Sequence, residues 1–269
     1  MKAQVIVIAN QKGGVSKTTL TVNLGASMAR MGYKVCLIDC DSQASMTMIL
    51  GCHQPEELAV SIASIFEEIL KPGFKLEKSE LFRKREYILH NQGVDFIPSN
   101  IELAGTENLL VNAMSRENVL KKLVNYIKGD YDYILIDTPG ALGFITINAL
   151  NASDKILIPI QPQYLSIKGL ELLLSTIDRV KDNLNPNLEI EGVLVTMYDS
   201  RLTFHREAVD NIHNIFAGLK VFETKIPISV RVTETQAKTM SIFDYDPGGK
   251  IAESYENFAK ELLDNEREK

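Results

Sequence analysis

Val5-Ile-Val-Ile-Ala9-Asn10-Gln-Lys12-Gly-Gly-Val-Ser16-Lys17-Thr18-Thr19 is the stretch from which the fold can be read. Its first five residues are apolar and mostly β-branched, as in a strand buried on both faces. The two glycines mark a tight turn, and from 18 to 30 apolar residues recur at helical spacing. A strand, a glycine turn and a helix start aim several backbone N–H groups at one point, where the helix dipole adds positive potential. Lys17 brings a full charge there, suited to the β- and γ-phosphates of a nucleotide, and the Thr18 hydroxyl is placed to ligate Mg2+. A turn that merely contains two glycines and two lysines would not need the strand before it or the helix after it.

Working outward, strand-like runs at 34–39, 94–98, 133–137, 155–160, 192–197 and 221–226 alternate with helical patterns at 119–127, 167–180 and 205–216. This alternation predicts an α/β fold, a twisted and mostly parallel sheet with helices on both faces, in a single domain over residues 1–269. The stretch 52–90 is the least regular. It holds a helix near 60–70, broken by Pro72-Gly73, and reads as a peripheral excursion. Residues 250–269 read as one amphipathic helix laying Ile251, Tyr255, Phe258 and Leu262 on the body.

Hydrophobic residues are 45% and charged residues 24% of the chain, a globular balance with ample core material. The net charge of −6 announces no nucleic-acid or membrane partner, so any DNA contact must rest on a local basic patch. Cys36, Cys40 and Cys52 read as reduced thiols. Nothing approaches the roughly 20 apolar residues of a membrane span, and no secretory signal opens the chain. The expectation is a soluble, cytoplasmic protein.

Two more strand ends carry chemistry. In Leu37-Ile-Asp39-Cys-Asp41-Ser42-Gln43, carboxylates at i and i+2 of an extended segment point the same way. Beside a phosphate loop they suit water positioning and Mg2+ ligation. The run Tyr133-Ile-Leu-Ile-Asp137-Thr-Pro-Gly140 reads as a Walker B strand. Asp137 stands at its end to hold Mg2+, and Pro139-Gly140 open a loop able to respond to a γ-phosphate.

The run Lys12-Gly-Gly-Val-Ser16-Lys17-Thr18-Thr19 resembles the deviant Walker A box of the ParA/MinD ATPases, with Ser16 where that family has glycine. The serine implies a position that does not need a glycine-only backbone angle. Asp39-Cys-Asp41-Ser42-Gln43 resembles the family's double-aspartate motif, with Ser42 in place of proline. Segments 99–104, 159–170, 196–201, 226–234 and 245–248 also resemble ParA/Soj sequences in the right order. No cysteine follows Cys52, unlike the iron–sulfur relatives, and residues 250–269 hold four basic and six acidic residues, a poor membrane anchor. The chain is therefore similar to the short ParA/Soj-type partition ATPases, without an N-terminal helix-turn-helix.

This resemblance implies a weak intrinsic ATPase with ATP and Mg2+ as cofactors. It implies nucleotide contacts from Lys12, Gly13, Gly14, Val15, Ser16, Lys17, Thr18 and Thr19, with the purine against Met197 and Pro227. Thr18, Asp41 and Asp137 would serve the metal, and Asp41 would orient the attacking water with Asp39 in support. Lys12 and Lys17 complete the catalytic set, Lys12 by crossing to the partner's ATP in a sandwich homodimer. Arg201 and Arg231 would contact nonspecific double-stranded DNA, with Lys225, Lys238 and His205 as weaker candidates. A ParB-like centromere-binding partner would stimulate hydrolysis, and the protein would sit on the nucleoid. Ile228-Ser229 stand where the family has Arg-Asn, a departure at the purine end. The rival expectations are a ParA-like ATPase that positions a protein cargo and a MinD-like membrane-surface switch.

Overall fold

The computed structural model describes residues 3–215 and 218–267. Eight strands occur among them: β1 (Gln4–Ile8), β2 (Val35–Asp39), β3 (Leu89–Asn91), β4 (Val94–Ile97), β5 (Tyr133–Asp137), β6 (Lys155–Ile160), β7 (Glu189–Tyr198) and β8 (Val221–Pro227). The α-helices are α1 (Lys17–Arg30), α2 (Ser45–Ile49), α3 (Ile62–Leu70), α4 (Glu80–Lys84), α5 (Leu103–Val111), α6 (Val119–Ile127), α7 (Phe144–Ala152) and α8 (Tyr164–Asn183). They continue with α9 (Thr203–Ile215), α10 (Val230–Lys238), α11 (Ile242–Tyr245) and α12 (Lys250–Arg267). Phe216, Glu268 and Lys269, at the ends of two expected helices, lie outside the described residues.

The strands form one sheet in the order β3-β4-β2-β5-β1-β6-β7-β8. Every neighbouring pair is parallel except the β3–β4 hairpin. Side chains alternate across the sheet as the pleat requires. On β1, Val5 and Val7 join a core with Phe66, Leu123 and Ala149 of α3, α6 and α7. Ile6 and Ile8 join the opposite core with Leu20, Leu24, Phe258 and Leu262 of α1 and α12. Helices thus cover both faces, as expected for a buried parallel sheet.

Gly25 lets α1 lie close on β2, since a Cβ there would stand 2.6 Å from Leu37 Cδ2. The stretch 52–90, expected at the periphery, places Phe66, Phe82 and Tyr87 fully inside the core. The apolar stripe of α12 is spent on packing, with Ile251, Tyr255, Phe258 and Leu262 all buried. No helix among the described residues is long and apolar enough to cross a membrane.

A buried ion pair joins β6 to β7 within the sheet. Lys155 Nζ, at the start of β6, stands 2.7 Å from Glu191 Oε2 on β7, with side chains 9% and 0% exposed. Removing one member of such a pair leaves a buried charge, whereas replacing both with apolar groups is often close to neutral. Lys155→Met is expected to cost about 3–5 kcal/mol in urea unfolding, and Lys155→Met/Glu191→Leu to recover most of it. A double variant no more stable than the single one would contradict this.

Candidate functional site

Parallel strands deliver their carboxyl ends to one edge, and ligands of open α/β sheets bind outside that edge. A cleft of about 670 Å3 opens there, lined by Gly13, Gly14, Ser16–Thr19, Asp41, Met48, Gly140, Met197, Ile226–Ser229, Val232 and Gln236, among others. That volume lies in the usual range for small-molecule sites.

The phosphate loop runs from the end of β1 into α1. Gly13 and Gly14 are exposed, Gly14 has φ +74°, and nothing lies within 4 Å of where their Cβ atoms would be. Val15 points inward, and its carbonyl accepts the Thr196 hydroxyl at 3.1 Å, tying the loop to β7. Thr19 is buried under Gln236, whose Nε2 donates to its hydroxyl at 3.1 Å. Ser16 overturns the sequence expectation. Its φ of 69° and ψ of 26° lie in the left-handed region, so the position does use the glycine-favouring angle and the serine bears the strain. Its side chain makes no capping hydrogen bond to the helix.

Lys17 is 7% exposed and donates to the Lys12 carbonyl at 3.3 Å, curled back over the loop. Burial lowers its pKa, while the carboxylates of Asp137 and Asp41 oppose that shift. Thr18 Oγ1 donates to Asp137 Oδ2 at 2.6 Å, joining the first turn of α1 to the end of β5. Asp137 is fully buried, and its Oδ1 has no hydrogen-bond partner among the described residues. Burial first, then Asp39 beside it, pushes its carboxyl up to about 8, against the pull of Thr18 and Lys17. A dry carboxylate oxygen lacking a donor, next to a hydroxyl and a second acid, is the donor set of a hard divalent cation.

The two aspartates at the end of β2 lie in different surroundings, Asp39 inside the sheet and Asp41 at the cleft. Asp39 still belongs to the sheet and is fully buried, accepting from Thr47 N at 2.9 Å, Thr47 Oγ1 at 2.7 Å and Asp41 N at 3.1 Å. Burial raises its carboxyl to about 6 despite these bonds. Asp41 lies past the strand end, where the chain turns, and reaches the cleft. A Cβ added to Gly140, after β5, would stand 3.5 Å from Gly13 N and Cα, so the two loops run close together.

Met197 and Pro227 line the far end of the cleft, with Met197 in the left-handed region at φ 52°. Ser229 caps α10 by accepting from Arg231 N at 3.1 Å, and Ile228 is 60% exposed beside it. Two residues carried no assigned role in the sequence reading, Gln161 and Gln163. Gln161 Nε2 donates to Gly14 O and lies against Met197 Sδ, each at 2.6 Å. Lys12 Nζ donates to Gln163 Oε1 at 2.6 Å and to Gln161 Oε1 at 3.4 Å. The available signal was positional, since both follow β6, the strand beside β1.

Arg201 and Arg231 are exposed but already paired. Arg201 grips Asp199 through Nε at 2.9 Å and Nη2 at 2.7 Å, which holds that carboxyl down at about 2. Arg231 Nη1 reaches Glu234 at 3.2 Å, and its guanidinium lies 5.8 Å from the Tyr245 ring centre. Lys225 donates to the Glu223 carbonyl, and His205 Nδ1 accepts from Asp199 N.

Known proteins share this architecture. A family described as an AAA domain matches residues 3–190. The sporulation initiation inhibitor protein Soj of Bacillus subtilis is 39% identical over 97% of this chain and 99% of its own length. The chromosome partitioning protein ParA of Myxococcus xanthus is 37% identical over 97% of this chain and 88% of its own. Among solved structures, cobyrinic acid a,c-diamide synthase of Mycobacterium smegmatis, with bound ATP analogue and magnesium, aligns at a TM-score of 0.81 and 32% identity. That alignment covers 97% of this chain and 94% of the other. By fold, by the order of its three strand-end motifs and by likeness over nearly its whole length, this chain belongs to the ParA/Soj family of partition ATPases.

Proposed function

We propose that this chain is a DNA-partition motor that binds ATP with Mg2+, dimerises around it, holds DNA without sequence preference and lets go on hydrolysis. The observation that carries the reading is the buried Asp137 with its partnerless oxygen, bonded to Thr18 beneath a loop whose Gly13 and Gly14 stand exposed. Mg2+, when bound, neutralises the buried acids and draws charge from the phosphates.

In this reading Lys17 leaves the Lys12 carbonyl for the β- and γ-phosphates, while the loop amides cradle them. Met197 and Pro227 flank the purine. Lys12 reaches the nucleotide of a second copy, giving an isologous sandwich homodimer. Asp41 holds the water that adds to the γ-phosphorus as the bond to the β-phosphate oxygen breaks. Asp39 acts through structure, pinning α2 by way of Thr47. Gly140, against Gly13, passes the loss of the γ-phosphate to the loop after β5. A ParB-like centromere-binding partner stimulates an otherwise weak hydrolysis, and cycles on the nucleoid move the bound replicon.

DNA phosphates would take Arg201 and Arg231 from Asp199 and Glu234. Exposed pairs of this kind are worth only about 0–1 kcal/mol, so the exchange costs little. Such contacts read no bases and weaken steeply with salt. Support for a DNA cargo over a protein cargo comes from the Soj and ParA relatives.

Substitutions separate the steps. Lys17→Ala is expected to weaken nucleotide binding at least about 30-fold, read by fluorescent ATP titration, with DNA retention lost as a result. Asp41→Ala should keep nucleotide and DNA yet hydrolyse about 10²–10⁴-fold more slowly, remaining on DNA when the partner is added. Rapid release of the Asp41→Ala protein with normal turnover would contradict its role.

The acids also make a pH prediction. Asp137 titrates at about 8 in the folded chain and near 4 when unfolded. Between those values the folded chain keeps a proton that the unfolded chain has lost. The stabilisation is therefore complete below about 4 and disappears as pH rises through about 8. Without nucleotide or metal, the melting temperature should fall from pH 6 to 9, and added Mg2+ should restore more of it at higher pH. Asp137→Asn should flatten both trends; an unchanged slope would assign the effect elsewhere.

A further inference from the structure

The short contact between Lys12 and Gln163 joins the phosphate loop to a residue to which no role has yet been given. Lys12 Nζ donates to Gln163 Oε1 at 2.6 Å and more loosely to Gln161 Oε1 at 3.4 Å. Both glutamines belong to the short turn between β6 and α8. Gln163 N donates to the Gln161 carbonyl at 2.8 Å, and Gln163 is the extended residue that precedes α8. The Gln161 amide is fixed in turn on Gly14 O and Met197 Sδ. The Gln161 acceptor is therefore held by its own amide bonds, and the Gln163 acceptor is presented by a backbone that is hydrogen-bonded in place.

We infer that Gln163 is a positioning residue that holds Lys12 against its own subunit and so sets how readily two copies close around nucleotide. This rests on the reading that Lys12 crosses to the partner's nucleotide. A lysine cannot serve Gln163 and a phosphate in the other subunit together, so the competent state is the fraction of chains in which Lys12 has left. The apparent dimerisation constant is weakened by that fraction. Both copies must release a lysine in an isologous dimer, so the factor enters twice. A neutral amide is a moderate acceptor, strong enough to order the lysine and weak enough to yield to a triphosphate. A carboxylate at 163 would form an ion pair, and alanine would offer nothing.

Two variants at this exposed position should therefore act in opposite directions, which loss of a merely structural contact would not produce. In the nucleotide-free full-length protein, acetylation of Lys12 by an amine-reactive reagent, followed by mass spectrometry, should be about 2–5-fold faster in Gln163→Ala and slower in Gln163→Glu. With a non-hydrolysable ATP analogue and Mg2+, sedimentation should show the dimer midpoint falling several-fold for Gln163→Ala and rising about tenfold for Gln163→Glu. The Gln163→Glu effect should shrink at 0.5 M salt, where the ion pair is screened. Equal labelling in all three proteins, or midpoints that move the same way in both variants while the parent dimerises, would overturn the inference. A parent chain that binds the analogue and stays single would instead bring down the crossing-lysine reading, and the labelling comparison, which needs no dimer, still decides whether Gln163 restrains Lys12.

Discussion

Two carboxylates facing each other inside the sheet organise this molecule. The parallel register sets Asp39 opposite Asp137 on adjacent strands, with Ile8 of β1 at the same level on the other side. Neither acid reaches solvent; burial raises both pKa values, Asp39 raises that of Asp137 further, and Asp41 adds to that of Asp39. Like charges in a dry site are costly unless protons, donors or cations compensate them. Asp39 is answered by Thr47 and the backbone of Asp41. Asp137 is answered on one oxygen by Thr18, while Lys17 adds its charge nearby. One oxygen of Asp137 is left over, and it marks the place where a metal and phosphates would complete the balance.

Strain accompanies this electrostatic arrangement. Ser16, Ala44 and Met197 all adopt left-handed backbone angles, at the helix start after β1, the turn after β2 and the end of β7. Non-glycine residues hold such angles only where surrounding structure enforces them, and they gather at ligand sites. Each here is enforced by a neighbour. The Ser16 carbonyl receives Leu20 N, the Ala44 amide donates to the Asp41 carbonyl, and Met197 lies against Gln161. The cleft is thus shaped in advance by the sheet, and the loops at Gly13 and Gly140 run close together beside it.

Much of this was legible in the residues. Runs of β-branched residues located the strands, and the expected bounds 133–137 and 155–160 coincide with β5 and β6. Glycines and a Lys-Thr pair at a strand end identified the phosphate loop, because few other purposes need that chemistry there. Other elements had weak signals for physical reasons. β3 is three residues of an edge hairpin with little to bury, and α7 is buried nearly all round, so it shows no amphipathic period. The i, i+2 spacing does not reveal that β2 ends between the two acids, leaving Asp39 inside the sheet and Asp41 at the cleft. Glutamines 161 and 163 carry no charge, and the family likeness of 159–170 gives them no role; the adjacency of β6 to β1 brings them to Lys12. The arginine surface is likewise invisible at the level of pairs, since Asp199 and Glu234 temper charges that composition counts as free.

In the proposed function a triphosphate completes the charge balance at Asp137 and is closed over by a second copy of the chain. Sedimentation of the full-length protein with a non-hydrolysable ATP analogue and Mg2+, against ADP and Mg2+, tests this most directly. A dimer holding two nucleotides with the analogue, and a single chain with ADP, is the predicted result. A chain that binds the analogue yet stays single over the same concentrations would contradict it.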